Sequence, residues 1–191
     1  MKKVLTILVT MIVLIGTAFA TTNDTLTITT TVAPVKPAFQ LYGNTSNDAS
    51  TRETADHTFS IAQNTILSSN IVLYCWIAQT AECRWEGSVE ISVSATALSN
   101  TTAVGDYAAG SFSVAPTISA ITALNPLTSN RPNADKDIRE SVVSGNTVTP
   151  TYRTGLKATA GDIASFNVTW ASTDLPPATY QATVTTTYTA P

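Results

Sequence analysis

The chain has 191 residues, with 10 Lys and Arg against 13 Asp and Glu, a formal net charge of −3, and charged residues at only 12%. That length suits one domain with a full core. The balance argues against nucleic acid and against anionic membrane surfaces, both of which need basic patches.

The first 20 residues read as an export signal. Lys2 and Lys3 are followed by an apolar run from Val4 to Phe19, and Ala18 and Ala20 are the small residues before a cleavage point. The run is short for a spanning helix, and small residues rather than charges close it, so no membrane insertion is expected. No Cys follows the cleavage point, which argues against a lipid anchor. The mature chain is expected to start at Thr21. Removing Lys2 and Lys3 takes the net charge from −3 to about −5.

Strand signals dominate the mature chain. Leu26, Ile28, Thr30 and Val32 share one face at period two, with Thr25, Thr27, Thr29 and Thr31 on the other. Pro34 and Pro37 then interrupt pairing. Phe39 and Leu41 begin a second alternating piece, closed by Gly43-Asn44, and the polar stretch to His57 reads as a loop. Phe59 and Ile61 suggest a further strand. Ile71 to Ile77 is a continuous apolar run, short enough for a strand buried on both sides. Val89, Ile91 and Val93 alternate with Glu90, Ser92 and Ser94, the pattern of a half-buried strand.

Phe112 and Val114 form a brief strand before Pro116. Residues 125–146 concentrate charge and prolines and are expected to make an exposed excursion with one helical turn. A strand is expected over Val148 to Leu156. Phe166, Val168 and Trp170 alternate cleanly. After the turn at Leu175-Pro176-Pro177, Tyr180, Ala182, Val184, Thr186 and Tyr188 lie on one face of a final strand. No mature segment has a helical period with caps. The pattern predicts an all-β, antiparallel sandwich rather than a parallel α/β sheet.

Cys75 and Cys83 are the only cysteines. An even pair in an exported chain points to a disulfide over a metal site, and the short loop would stabilise by roughly 2–3 kcal/mol. Zinc would need further ligands, and His57 is the one histidine. Catalysis has little to stand on: a lone histidine, no Gly-x-Ser-x-Gly elbow, no phosphate-cradling loop and no calcium loop around Asp135 and Asp137. No cofactor is expected, and the chain is read as a non-enzyme. Trp76 and Trp85 flank the cysteines. With Tyr74 and Tyr107 they form either a sugar-stacking platform or part of the core, the core being favoured.

The leading strand has two fates. It pairs inside its own domain, or it adds to an open edge on a neighbour, a heterologous contact that makes a fibre if it does not close. The stretch Asn23-Asp-Thr-Leu-Thr-Ile-Thr-Thr-Thr-Val-Ala-Pro-Val, followed by Phe39-Gln-Leu-Tyr-Gly-Asn44, resembles the mature start of major fimbrial subunits of the CS1 and CFA/I type. These belong to the alternate chaperone–usher class. The segment Pro177-Ala-Thr-Tyr-Gln-Ala-Thr-Val-Thr-Thr-Thr-Tyr188 is similar to the last strand of such subunits and of spore coat protein U-like proteins. The similarity covers about a quarter of the mature chain, by low-complexity motifs, and the cysteine pair departs from it.

The resemblance implies an immunoglobulin-like sandwich lacking one strand, completed by donor-strand exchange. Leu26, Ile28, Thr30 and Val32 would be the inserted face. Partners would be identical or related subunits, a periplasmic chaperone and an outer-membrane usher, with the product at the cell surface. Residues 1–20 are then a signal peptide, 21–33 a donor-strand-like extension and 34–191 the sandwich domain. The expected function is a structural subunit of an adhesive fimbria. The alternative is a monomeric exported module binding glycan or protein through Trp76, Trp85 or the 125–146 excursion.

Overall fold

The computed structural model describes residues 27–31, 33–54, 59–60, 65–124, 138–152, 157–158, 160–171 and 174–190, with the backbone alone at 59–60, 138–140 and 157. The chain divides into two units, Met1–Ala33 and Pro34–Pro191. The expected signal, Leu26, Val32, His57 and residues 125–137 lie outside the described residues. In the first unit, residues 27–31 carry no strand, and Ile28 is 83% exposed.

The second unit is all-β. In chain order its strands are β1 (Phe39–Asn44), β2 (Phe59–Ser60), β3 (Ile71–Gln79), β4 (Cys83–Arg84), β5 (Gly87–Ser88), β6 (Glu90–Ala95), β7 (Leu98–Asn100) and β8 (Ser113–Val114). They continue with β9 (Pro116–Ala123), β10 (Ile138–Ser144), β11 (Thr147–Tyr152), β12 (Lys157–Ala158), β13 (Gly161–Trp170), β14 (Thr179–Gln181) and β15 (Val184–Thr189). The one helical turn among the described residues is a 3-10 turn at Ala49–Thr51, capped by the Asp48 side chain. No described helix is long and apolar enough to cross a membrane.

Two antiparallel sheets carry the architecture. One has the order β1-β3-β13-β9, the other β10-β11-β6-β15. The core lies between them, as alternation requires. Ile71, Leu73 and Ile77 of β3 and Ile163, Phe166 and Val168 of β13 share one cluster with Ile91 and Val93 of β6 and Val148 and Tyr152 of β11. The apolar run in β3 reflects its central place: β1 flanks it on one side and β13 on the other, and residues 75–79 are buried on both faces. A smaller sheet, β2-β14-β7-β8, continues the second sheet beyond kinks at Thr96 and Thr183. Thr183 N–H donates to Thr96 Oγ1, and Trp170 Nε1 donates to Thr96 O, so the kink is satisfied rather than frayed.

Three differences from the sequence reading have physical causes. The brief strand before Pro116 is present as β8, but no strand was read after it; proline is tolerated as the first residue of an edge strand, and β9 starts at Pro116 on the edge of its sheet. Its alternation is also interrupted: the register against β13 shifts between Ser165 and Asn167, and Ala120 has φ +53°. Residues 138–144, expected within an exposed excursion with a helical turn, are strand β10, paired with β11 across the Gly145-Asn146 turn. The final strand is two pieces, β14 and β15, and of the residues placed on one face Tyr180 is buried and Ala182 and Val184 pack on the core, while Tyr188 is half-exposed.

Candidate functional site

Each principal sheet has two edges, and an unprotected edge invites pairing with another chain. Three of the four edges are blunted. β9 carries the bulge at Ala120. β10 is irregular between Ile138 and Glu140 and bears Arg139 and Glu140. β1 is bridged at its outer edge, where Gly43 and Glu53 exchange N–H···O bonds of 3.1 Å each. The fourth edge belongs to β15. It pairs with β6 in unbroken register from Val184↔Ala95 to Thr189↔Glu90, with no bulge, charge or proline. Among the described residues no strand pairs with its other side.

Ladder parity defines what that edge offers. Thr96 N–H donates to Thr183 O at 2.9 Å, and Val93 N–H donates to Asn146 O, away from β15. In an antiparallel ladder the residues then alternate. Thr185, Thr187 and Thr189 turn their backbone groups to β6, while Val184, Thr186 and Tyr188 turn theirs outward. Those same three residues share one face of the strand; Val184 packs against the core, while Tyr188 is half-exposed. Among the described residues, a row of donors and acceptors on β15 thus has no paired strand, beside a face that Val184 anchors in the core.

β1 runs along the same side of the sandwich. Because Gly43 bonds outward to Glu53, Leu41 and Phe39 also direct their backbone groups outward by the same parity. Tyr188 links the two strands. Its ring lies 5.4 Å from that of Phe39, and its hydroxyl donates to Phe39 O at 3.2 Å. Tyr188 is 49% exposed, whereas Phe39 is 8% exposed. This edge, from Val184 to Tyr188 beside Phe39 and Leu41, is the candidate site. The sequence reading placed Tyr180, Ala182, Val184, Thr186 and Tyr188 on one face of the last strand but did not mark that strand as an edge. Neighbour order is a property of the whole sheet and leaves no local signal.

The other sequence candidates fall elsewhere. Trp76 and Trp85 do not form a platform, because both are buried and apart. Trp76 is 6% exposed on the face of β3 opposite Cys75 and Ile77. The Arg52 guanidinium lies 5.0 Å from its ring, and Arg52 also clasps Asp162 of β13 in a two-pronged ion pair. Trp85 sits in the core, 6.0 Å from the Tyr152 ring, and folds over Gly87. A Cβ at Gly87 would lie 3.0 Å from that indole, and its φ of +134° already favours glycine.

Cys75 and Cys83 do not form the expected disulfide and stand as buried thiols. Cys75 faces the core from the middle of β3, and burial pushes its thiol up to about 12. Cys83 meets Gln79 Nε2 at 3.7 Å beyond the end of that strand. Four residues of β3, about 13 Å at the usual strand rise, separate Cys75 from Gln79. Gln79 was not singled out from the sequence, yet it is 1% exposed. Its amide donates to Ala81 O and Ala158 O, and Tyr152 donates to its Oε1 at 2.8 Å. It closes the polar groups where β4 and β12 cap the sandwich. Burial also raises the Tyr152 phenol far above its ordinary value.

Of the expected donor face, Ile28 and Thr30 are described and exposed, while Leu26 and Val32 lie outside the described residues. In comparisons with known proteins, no family model, no curated protein and no solved structure matches this chain.

Proposed function

We propose that the second unit is an immunoglobulin-like sandwich with one strand position vacant, and that the chain is a structural subunit of a surface fibre built by donor-strand exchange. The sheet β1-β3-β13-β9 corresponds to strands A, B, E and D of that fold, and β6 beside β15 corresponds to C beside F. The position of strand G, next to F, is the open side of β15. A second feature agrees. Tyr180, buried at the start of the last strand, donates its hydroxyl to Pro176 O at 2.8 Å, four residues upstream. That is the tyrosine corner expected at the entry to strand F.

The carrying observation is the unblunted edge of β15. An added strand with alternating apolar residues would satisfy the outward groups of Val184, Thr186 and Tyr188 while covering the side chains of Val184 and Thr186. The segment Leu26, Ile28, Thr30 and Val32 of another copy has that alternation. Ladder bonds supply affinity whatever the sequence, and the side chains supply register. Burying Leu26, Ile28 and Val32 would contribute about 1.5–3 kcal/mol each. On this reading the chain is exported through its signal, held by a periplasmic chaperone that fills the vacant position, passed to an outer-membrane usher and joined to identical or related subunits, with a role in adhesion. Burial of Trp76 and Trp85 takes the aromatic platform away from the binding-module alternative, whose other candidate, the 125–146 excursion, lies largely outside the described residues.

Ile28→Asp tests the reading. Ile28 is solvent-exposed, so the substitution is expected to change subunit stability by less than about 0.5 kcal/mol. Burying a carboxylate in the acceptor would cost far more, so multimer ladders on unboiled gels are expected to vanish while secretion continues. Wild-type ladders from the variant would contradict the proposal.

A further inference from the structure

We propose that Tyr188 is a gate on the acceptor edge, closed on Phe39 in the single subunit and displaced by the incoming strand; this rests on the reading of β15 as that edge. Two independent contacts hold it closed, the 5.4 Å ring pair and the hydroxyl bond to Phe39 O. Both cross from the second sheet to the first, on the side where β1 and β15 present their outward backbone groups. The gate occupies what an entering strand needs. Phe39 O is an outward acceptor of β1, and it is taken by the phenol. The N–H and C=O of Tyr188 itself are outward groups of β15, and its ring stands beside them.

The exchange is balanced in hydrogen bonds. An N–H of the incoming strand can replace the phenol at Phe39 O, so the net change is the difference between two similar bonds. The half-exposed ring can swing into water without opening a cavity in the core. The device therefore slows entry more than it weakens the final joint. It covers an apolar edge that would otherwise recruit any strand it met. Tyr107, the other exposed aromatic among the described residues, behaves differently: it packs edge-on against Phe112 within its own loop.

The experiment uses the exported chain, diluted from denaturant, with assembly followed by light scattering and unboiled gels. Tyr188→Phe removes the hydroxyl bond and keeps the ring. One neutral hydrogen bond of about 1 kcal/mol corresponds to about a fivefold rate change. Tyr188→Phe is expected to assemble about fivefold faster than wild type to the same final extent, with an unchanged circular dichroism spectrum. Tyr188→Ala, which removes the ring as well, is expected to be faster still; should it fail to fold, the Phe variant alone decides. Assembly of Tyr188→Phe at the wild-type rate or slower, while wild type assembles, overturns the gate and leaves the acceptor edge standing. Absence of assembly in wild type overturns both.

Discussion

Cys75 shows how one buried group ties packing to pH. Its thiol is 1% exposed on the core face of β3, and burial pushes its pKa up to about 12. An unfolded cysteine titrates near 8.5. The folded state therefore favours the protonated form. Its stabilising contribution is complete below about pH 8.5 and is lost as the pH rises towards about 12, because the unfolded chain sheds the proton first. Tyr152, also raised by burial, acts in the same direction at higher pH. Urea midpoints are expected to fall between pH 8 and pH 10.5, and the fall should be shallower in Cys75→Ala. Native Cys75 should also resist iodoacetamide at pH 8 until denaturant is added. Rapid native labelling, or identical pH slopes in the two proteins, would contradict this burial.

Within β15, neighbouring residues have opposite duties, which proline can separate. Thr186 directs its N–H outward, and Thr187 directs its N–H to β6, by the register that pairs Thr187 with Ser92. Proline is tolerated where an edge strand's N–H faces solvent and is costly where it removes a ladder bond. Thr186→Pro is therefore expected to fold with near-wild-type stability but to assemble poorly. Thr187→Pro is expected to lose about 1–3 kcal/mol of stability. Equal loss of thermal stability in both variants would show that the parity is misassigned.

The same strands show what was legible beforehand. Alternation at Val89–Ser94 and at Phe166, Val168 and Trp170 was plain because one face of each strand is buried and the other is mixed, whereas the start of β13 at Gly161 was not read, its register shifting between Asp162 and Ala164. β9 was obscured because Pro116 and the bulge at Ala120 disrupt the very period that reveals strands. The buried places of Trp76 and Gln79 were hidden for another reason. Arg52 covers one and Tyr152 partners the other from 24 and 73 residues away in sequence, as their contacts show. The outer edge of β15 depends on the order of all five strands in its sheet, which no local pattern carries.

Among the described residues, the second unit combines a core filled from two sheets with one edge of those sheets, that of β15, that carries no bulge, bridge or charge. The core is contributed by both sheets, and the bulges and the Glu53 bridge protect β9, β10 and β1. Of the four edges of the two principal sheets, among the described residues, β15 combines regular register with outward backbone groups and a core contact at Val184, with Tyr188 laid across towards Phe39. That asymmetry would give a heterologous contact, and repetition of such a contact produces an open filament rather than a closed pair. A segment with matching alternation lies ahead of Pro34 in the same chain.

Amide hydrogen exchange at Val184, Thr186 and Tyr188, compared between dilute subunit and assembled material, addresses this directly. These three amides are expected to exchange rapidly in the subunit and to become strongly protected on assembly, while those of Thr185 and Thr187 are protected in both. Protection of all five in the isolated subunit, or no gain of protection at the outward three in the assembly, would contradict the vacant position beside β15.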